Sequence, residues 1–213
     1  GMLLFASVIA FTRGSFGAEG RPFLKDIAQA APKSIGSILL GGVIFNASNI
    51  LLSASTSIAG MAVAFPLGVG ISMALGTIVN YIGAPKGDPF ILFAGVVLVV
   101  LAVICNGVAS GKMQTANDNK GAKKGIILAF VAGVLMSFFY RFVAAAMDLS
   151  NFNSPAEGMV TPYTAIVIFS IGVVLSNFIF NTLVMRKPFV GEPVSYKEYF
   201  KGNFKTHLVG MLG

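Results

Sequence analysis

Asn46, Asn49, Ser53 and Thr56 recur at three- to four-residue spacing within one apolar run, so a helix there carries carboxamides and hydroxyls along a single stripe. Such groups can line a path for an uncharged polar solute, or they can bond neighbouring helices as polar glue. Asn177 and Asn181, one turn apart in a later apolar run, open the same two readings. Arg141, in Ser137-Phe-Phe-Tyr-Arg141, is a cation suited to an anionic or hydrogen-bond-rich solute, to pairing with Asp148 seven residues on, or to snorkelling towards an interface. Pro66, followed by Gly68 and Gly70, removes a helical hydrogen bond and frees a carbonyl for a solute or for a packing kink. The candidate solute-binding set is therefore Asn46, Asn49, Ser53, Pro66, Arg141, Asn177 and Asn181. Asp148 is the candidate for coupling to protons, with Glu157 as the other acid within reach of the membrane.

These residues need helices that cross lipid, and the hydropathy pattern provides five: Ser34–Thr56, Ile58–Ile82, Pro89–Ser110, Gly125–Met147 and Pro162–Met185. Each exceeds the roughly 20 apolar residues that span a hydrocarbon core of about 30 Å. Arg141 is the one charged residue inside them, a separation that the cost of charge in lipid enforces. With 55% hydrophobic and 11% charged residues and a mean hydropathy of +0.83, the chain reads as a polytopic membrane protein of all-α class. Gly68, Ser72, Gly76 and Asn80 recur every four residues, a small-residue stripe that lets another helix approach closely.

Several function classes are set aside. The net charge of +7 sits in membrane-flanking segments with no basic run longer than Lys123-Lys124, which gives nucleic acid no footprint. The single cysteine, Cys105, reads as a small buried packing residue and excludes intrachain disulfides and thiolate metal clusters. His/Asp/Glu clusters at metal-ligand or acid/base spacing are missing from the sequence, so neither a membrane-embedded enzyme nor a cofactor is expected. The lone His207 reads as structural. A passive channel or a structural membrane subunit remains an alternative to a transporter, and a symmetric ring of polar residues would mark a pore.

The ends differ from the middle. Met2–Thr12 is apolar but too short to span, and His207–Gly213 begins a further apolar run, so the chain reads as part of a longer protein. Arg21-Pro22-Phe23, Lys25-Asp26 and Lys33 are echoed by Arg186-Lys187-Pro188-Phe189, Lys197-Glu198 and Lys205. An odd number of spans separates the two copies, as in the inverted repeats of secondary transporters. The expected organisation is the C-terminal part of a first repeat over 1–110, a flexible linker over 111–124 and the N-terminal part of a second repeat over 125–213. Lysines and arginines concentrate on the side that holds Gly111–Lys124 and Arg186–Thr206, which favours a cytoplasmic position for that side.

Gly41-Gly-Val-Ile-Phe-Asn46-Ala-Ser-Asn49-Ile-Leu-Leu-Ser53, the run Ile58–Gly68 around Pro66, the turn Gly83-Ala-Pro-Lys-Gly87 and Gly191-Glu-Pro-Val-Ser-Tyr196 resemble bacterial members of the ureide-permease and sugar-uptake branch of the drug/metabolite transporter superfamily. The resemblance covers the whole chain. It implies ten helices in two inverted five-helix halves, of which this chain would carry the end of helix 2, helices 3 to 7 and the start of helix 8. It also implies an inner-membrane permease for a small polar solute such as a sugar or ureide, often moved with protons. Its partners would be that solute, the bilayer and, at most, a second copy in a homodimer. Members are also labelled multidrug permeases, which leaves export as the alternative direction.

Overall fold

The protein is described by a computed structural model over residues 1–16, 20–113 and 119–212. Its helices in chain order are α1 (Met2–Phe11), α2 (Arg13–Phe16), α3 (Phe23–Gln29), α4 (Pro32–Ala59), α5 (Met61–Gly83), α6 (Pro89–Met113), α7 (Asn119–Ala144), α8 (Pro162–Arg186), α9 (Tyr196–Phe200) and α10 (Phe204–Leu212). Among the described residues no strand forms, and a single isolated bridge joins Met147 to Val160. Helices α4 to α8 are long and apolar enough to cross a membrane. The fold is an all-α, polytopic helix bundle.

Local chemistry sets the ends of these helices. Pro32 and Pro162 open α4 and α8 at the first helical turn, where a missing N–H costs nothing. Thr161 caps α8 with its side chain on the Thr164 N–H. Gly60, at φ +80°, turns the chain from α4 directly into α5. At the expected linker α6 runs on to Met113 and α7 begins at Asn119, while its centre, 114–118, lies outside the described residues.

Helix α4 is the hub, packed on α7 and α8, with α5 against α7, α6 against α5 and α1 against α8. Close approach is made by glycine. A Cβ on Gly42 would collide with the Phe169 carbonyl of α8, and one on Gly172 with the Leu39 carbonyl of α4, so the two backbones are in contact there. On the small-residue stripe of α5, a Cβ on Gly68 would lie 2.7 Å from Leu52 Cδ1 and one on Gly76 3.7 Å from Ser137. That stripe faces α4 and α7, as expected of a packing stripe.

Serines stitch the hub across antiparallel helices. Ser37, Ser48 and Ser55 of α4 each donate to a backbone carbonyl at 2.6 to 2.7 Å, that of Phe142, Ala132 and Gly125 respectively. Helix α6 lies at the opposite extreme, because it has α5 as its chief neighbour and no buried residue in its spanning segment. Cys105 on α6 is consequently exposed. The expectation of a buried packing cysteine is corrected, since hydropathy alone does not separate a lipid-facing helix from a buried one.

The loops at one end of the bundle are joined by a buried carboxylate. Asp26 on α3 is 0% exposed and pairs with Arg21 Nε at 3.0 Å. It also accepts from the Thr161 backbone N–H at 2.8 Å and hydroxyl at 2.9 Å, at the positive N-terminal end of α8. Arg21 in turn donates to the Met159 carbonyl at 2.7 Å, and Gln29 bridges Met159 and Gly158. The second copy of the repeated pattern also leads into a short helix, α9, but its acid, Glu198, is exposed. The Ser195 N–H and hydroxyl, at 2.8 and 3.1 Å, hold the Glu198 carboxyl below its ordinary range.

Two outcomes follow for stability. Gly42→Val is expected to abolish the folded, monodisperse protein in detergent, whereas Gly95→Ala, with open space around its Cβ, should leave the melting temperature unchanged or raised. Arg21→Ala leaves Asp26 buried without its cation, and thermal unfolding in detergent should report a loss of about 2–3 kcal/mol. This is the low end for a broken buried pair, because Arg21 is 30% exposed.

Candidate functional site

Helices α5 and α7 run parallel, and their C-terminal halves border an open, mostly apolar cavity of about 570 Å³. Helix α5 contributes Ser72, Gly76, Thr77, Asn80, Tyr81 and Ala84, and α7 contributes Ser137, Tyr140 and Arg141. Leu92 of α6, Lys86, Leu149 and Phe152 close the sides and rim. Ser72 is near the middle of α5 and Ala84 at its end, so the cavity runs from the middle of the bundle to the end that carries the Asp26 network. Its wall mixes hydroxyls, a carboxamide and aromatic faces with two cations. The described lining contains no carboxylate.

Arg141 lies half-buried in this wall, with its guanidinium packed over Gly83 in the space a side chain there would fill. Among the described residues the ion pair is Arg21–Asp26, and no acid neutralises Arg141. The expected pairing with Asp148 fails on geometry, because α7 ends at Ala144 and the seven-residue spacing no longer describes one helix face. Asp148 lies in the following turn, where its Oδ1 accepts from the Ser150 and Asn151 N–H groups at 3.0 and 3.2 Å. Lys86 Nζ reaches across the rim to the Leu149 carbonyl at 2.5 Å.

The asparagine and serine stripe of α4 divides. Asn46 is 7% exposed and donates to Ser176 Oγ of α8 at 3.0 Å, a contact between helices. Asn49 donates to the Phe45 carbonyl of its own helix, and Ser53 lends its carbonyl to Thr56 and Ser57. Asn49, Ser53 and Asn181 come together in a second crevice, of about 370 Å³, at the opposite end of the bundle beneath Pro188 and Phe189. Lys124 holds Phe189 there, through its carbonyl at 3.1 Å and over its ring at 6.0 Å. Asn177 is exposed and belongs to the lining of neither space. Pro66 faces a small space of about 200 Å³ with Asn106 and Ser110 of α6.

Sequence reasoning passed over Thr77, Asn80, Tyr81 and Tyr140 as site residues, and Asp26 as a buried acid. The signal for the α5 group was present, since Thr77, Asn80, Tyr81 and Ala84 share one helical face. It was hidden by the overlapping small-residue stripe, which accounts for Asn80 by packing alone.

Five helices long and apolar enough to cross a membrane, packed as one bundle beside an open pocket that includes Arg141, define a polytopic membrane protein. Comparison with known proteins narrows the class. The chain is 23% identical to ureide permease 1 of Arabidopsis thaliana over 268 aligned positions, taking in 99% of the chain and 68% of that relative. It is 30% identical to ureide permease 2 of the same plant, over 55% of the chain and 30% of the relative. With a probable ureide permease A3 of Vigna unguiculata it shares 32% identity, over 72% of the chain and 42% of the relative. No protein-family model matches the chain, and no solved structure matches it significantly. The chain is thus similar to permeases.

With Cys105→Ala removing the native thiol, a cysteine at Thr77 should react with a membrane-impermeant maleimide, and one at Ser48, buried against α7, should not. Mass spectrometry of the labelled protein reads both, and equal reactivity would contradict the cavity's position.

Proposed function

We propose that this chain is the solute-binding portion of a permease, a secondary transporter for a small polar solute of ureide or sugar type. The observation that carries this reading is the α5–α7 cavity, in which Arg141 stands with hydroxyls and a carboxamide and, among the described residues, no acid beside it. The similarity to ureide permeases supports it. A half-buried guanidinium, partly withdrawn from water, favours carbonyl or carboxylate oxygens. Tyr81 and Tyr140 share the lining with it, and aromatic rings pack well on a planar solute.

The second crevice, with Asn49, Ser53 and Asn181, lies at the opposite end, and a solute crossing the bundle would meet it after the Arg141 cavity. That end carries Lys112, Lys124, Arg186 and Lys187, which favours the cytoplasm for it, so the Arg141 cavity opens outwards. Asp148, next to the lining residue Leu149, is the carboxylate proposed for proton coupling. The ten-helix inverted repeat and membership of the drug/metabolite transporter superfamily complete the proposal.

Uptake by the full-length protein in proteoliposomes tests it. Arg141→Ala should lower uptake of a labelled ureide at least tenfold, roughly the value of one charge-assisted hydrogen bond, and Arg141→Lys should restore part of it. Normal uptake by a well-folded Arg141→Ala variant would contradict the site. Asp148→Asn should abolish accumulation driven by an inward proton gradient while leaving exchange of solute intact.

A further inference from the structure

Asn80 stands out among the polar groups of the cavity. It lines the wall on α5, close to Tyr81 and on the same side as Arg141, and its Oδ1 is the buried side-chain oxygen without a hydrogen-bond partner among the described residues. A buried acceptor left unpaired is unfavourable, and native proteins keep few of them. Elsewhere in this bundle the rule is obeyed: Ser48, Ser55 and Asn46 all find partners in a neighbouring helix. The exception belongs to a residue that lines the α5–α7 pocket.

Resting on the reading of that cavity as the solute site, we propose that Asn80 selects the solute by demanding an N–H donor. Rotation about the last side-chain torsion, which is soft in asparagine, turns Oδ1 into the cavity, where a solute N–H satisfies it. Arg141, with five donors and no acceptor, takes the solute's carbonyl oxygens and cannot read N–H groups. The two residues therefore recognise complementary halves of one pattern, an N–H adjacent to a C=O. A ureido or cyclic amide compound carries that pattern. A polyol offers hydroxyl donors, which bend to many acceptors, and a simple carboxylate offers none.

Site-built hydrogen bonding discriminates strongly against an analogue that lacks the group, because the unpaired acceptor stays buried. Equilibrium dialysis with the purified full-length protein tests the inference, using labelled hydantoin and 1,3-dimethylhydantoin, which keeps both carbonyls and has no N–H. The wild-type protein should bind hydantoin about tenfold more tightly. Asn80→Leu, of similar volume and without an acceptor, should bind the two alike, as should the smaller Asn80→Ala. Asn80→Asp keeps an acceptor and should keep the preference. Retention of the tenfold preference in folded Asn80→Leu or Asn80→Ala overturns the inference, as does equal binding of both compounds by the wild-type protein. Arg141→Ala should weaken both compounds alike. If it weakens neither, the cavity reading fails as well, and so it does if the wild-type protein binds neither compound.

Discussion

In lipid every polar group must find its partner within the protein, and this bundle meets that constraint through close backbone contact around α4. Gly42 and Gly172 bring α4 and α8 together until carbonyl and Cα nearly touch. On the other side, Ser37, Ser48 and Ser55 hand their protons to carbonyls of α7. Each such bond is modest, about 0.6 kcal/mol in membrane proteins, but three along one helix fix its register. The placement of α5 follows, since Gly68 meets Leu52 of α4 as well as the Ala129 carbonyl of α7. A cavity between α5 and α7 with defined walls depends on that chain of contacts.

The polar residues of the spans consequently have different fates. Those aimed at the hub, Asn46 among them, are consumed by helix contacts. Those on the C-terminal halves of α5 and α7 border the open pocket between these helices. Arg141 belongs to the second group because Gly83, which lacks a side chain, leaves room for its guanidinium along α5. A cation kept there with no acid beside it among the described residues is costly in a membrane, and in the proposed reading a solute that carries oxygen acceptors compensates it. The buried acid of the molecule, Asp26, is instead committed to joining the α3 loop to the start of α8.

The five spans were legible in the sequence because length and hydropathy depend on the bilayer alone. Pro32–Ala59 and Pro162–Arg186 differ from their expected bounds by a few residues of helix extension. The end of α7 was misread: Ala145–Met147 is apolar enough to continue the span, but the Val160 N–H bonds the Ala146 carbonyl and draws the chain out of the helix. That pairing joins segments on either side of a loop, and no periodicity announces it. Arg141 stood out as a lone charge. The Asn46–Thr56 stripe could be placed on one face, but which neighbour that face meets is a tertiary fact, and Asn46 and Asn49 meet different ones. Cys105 was misjudged for the same reason, being assigned to the core although it is exposed.

The most direct measurement is a structure of the full-length protein with a ureide bound. The account predicts solute density between α5 and α7, with its oxygens within hydrogen-bond distance of Arg141 and a nitrogen facing Asn80. Density confined to the crevice of Asn49, Ser53 and Asn181, with the α5–α7 cavity filled by lipid or by another helix of the protein, would contradict it.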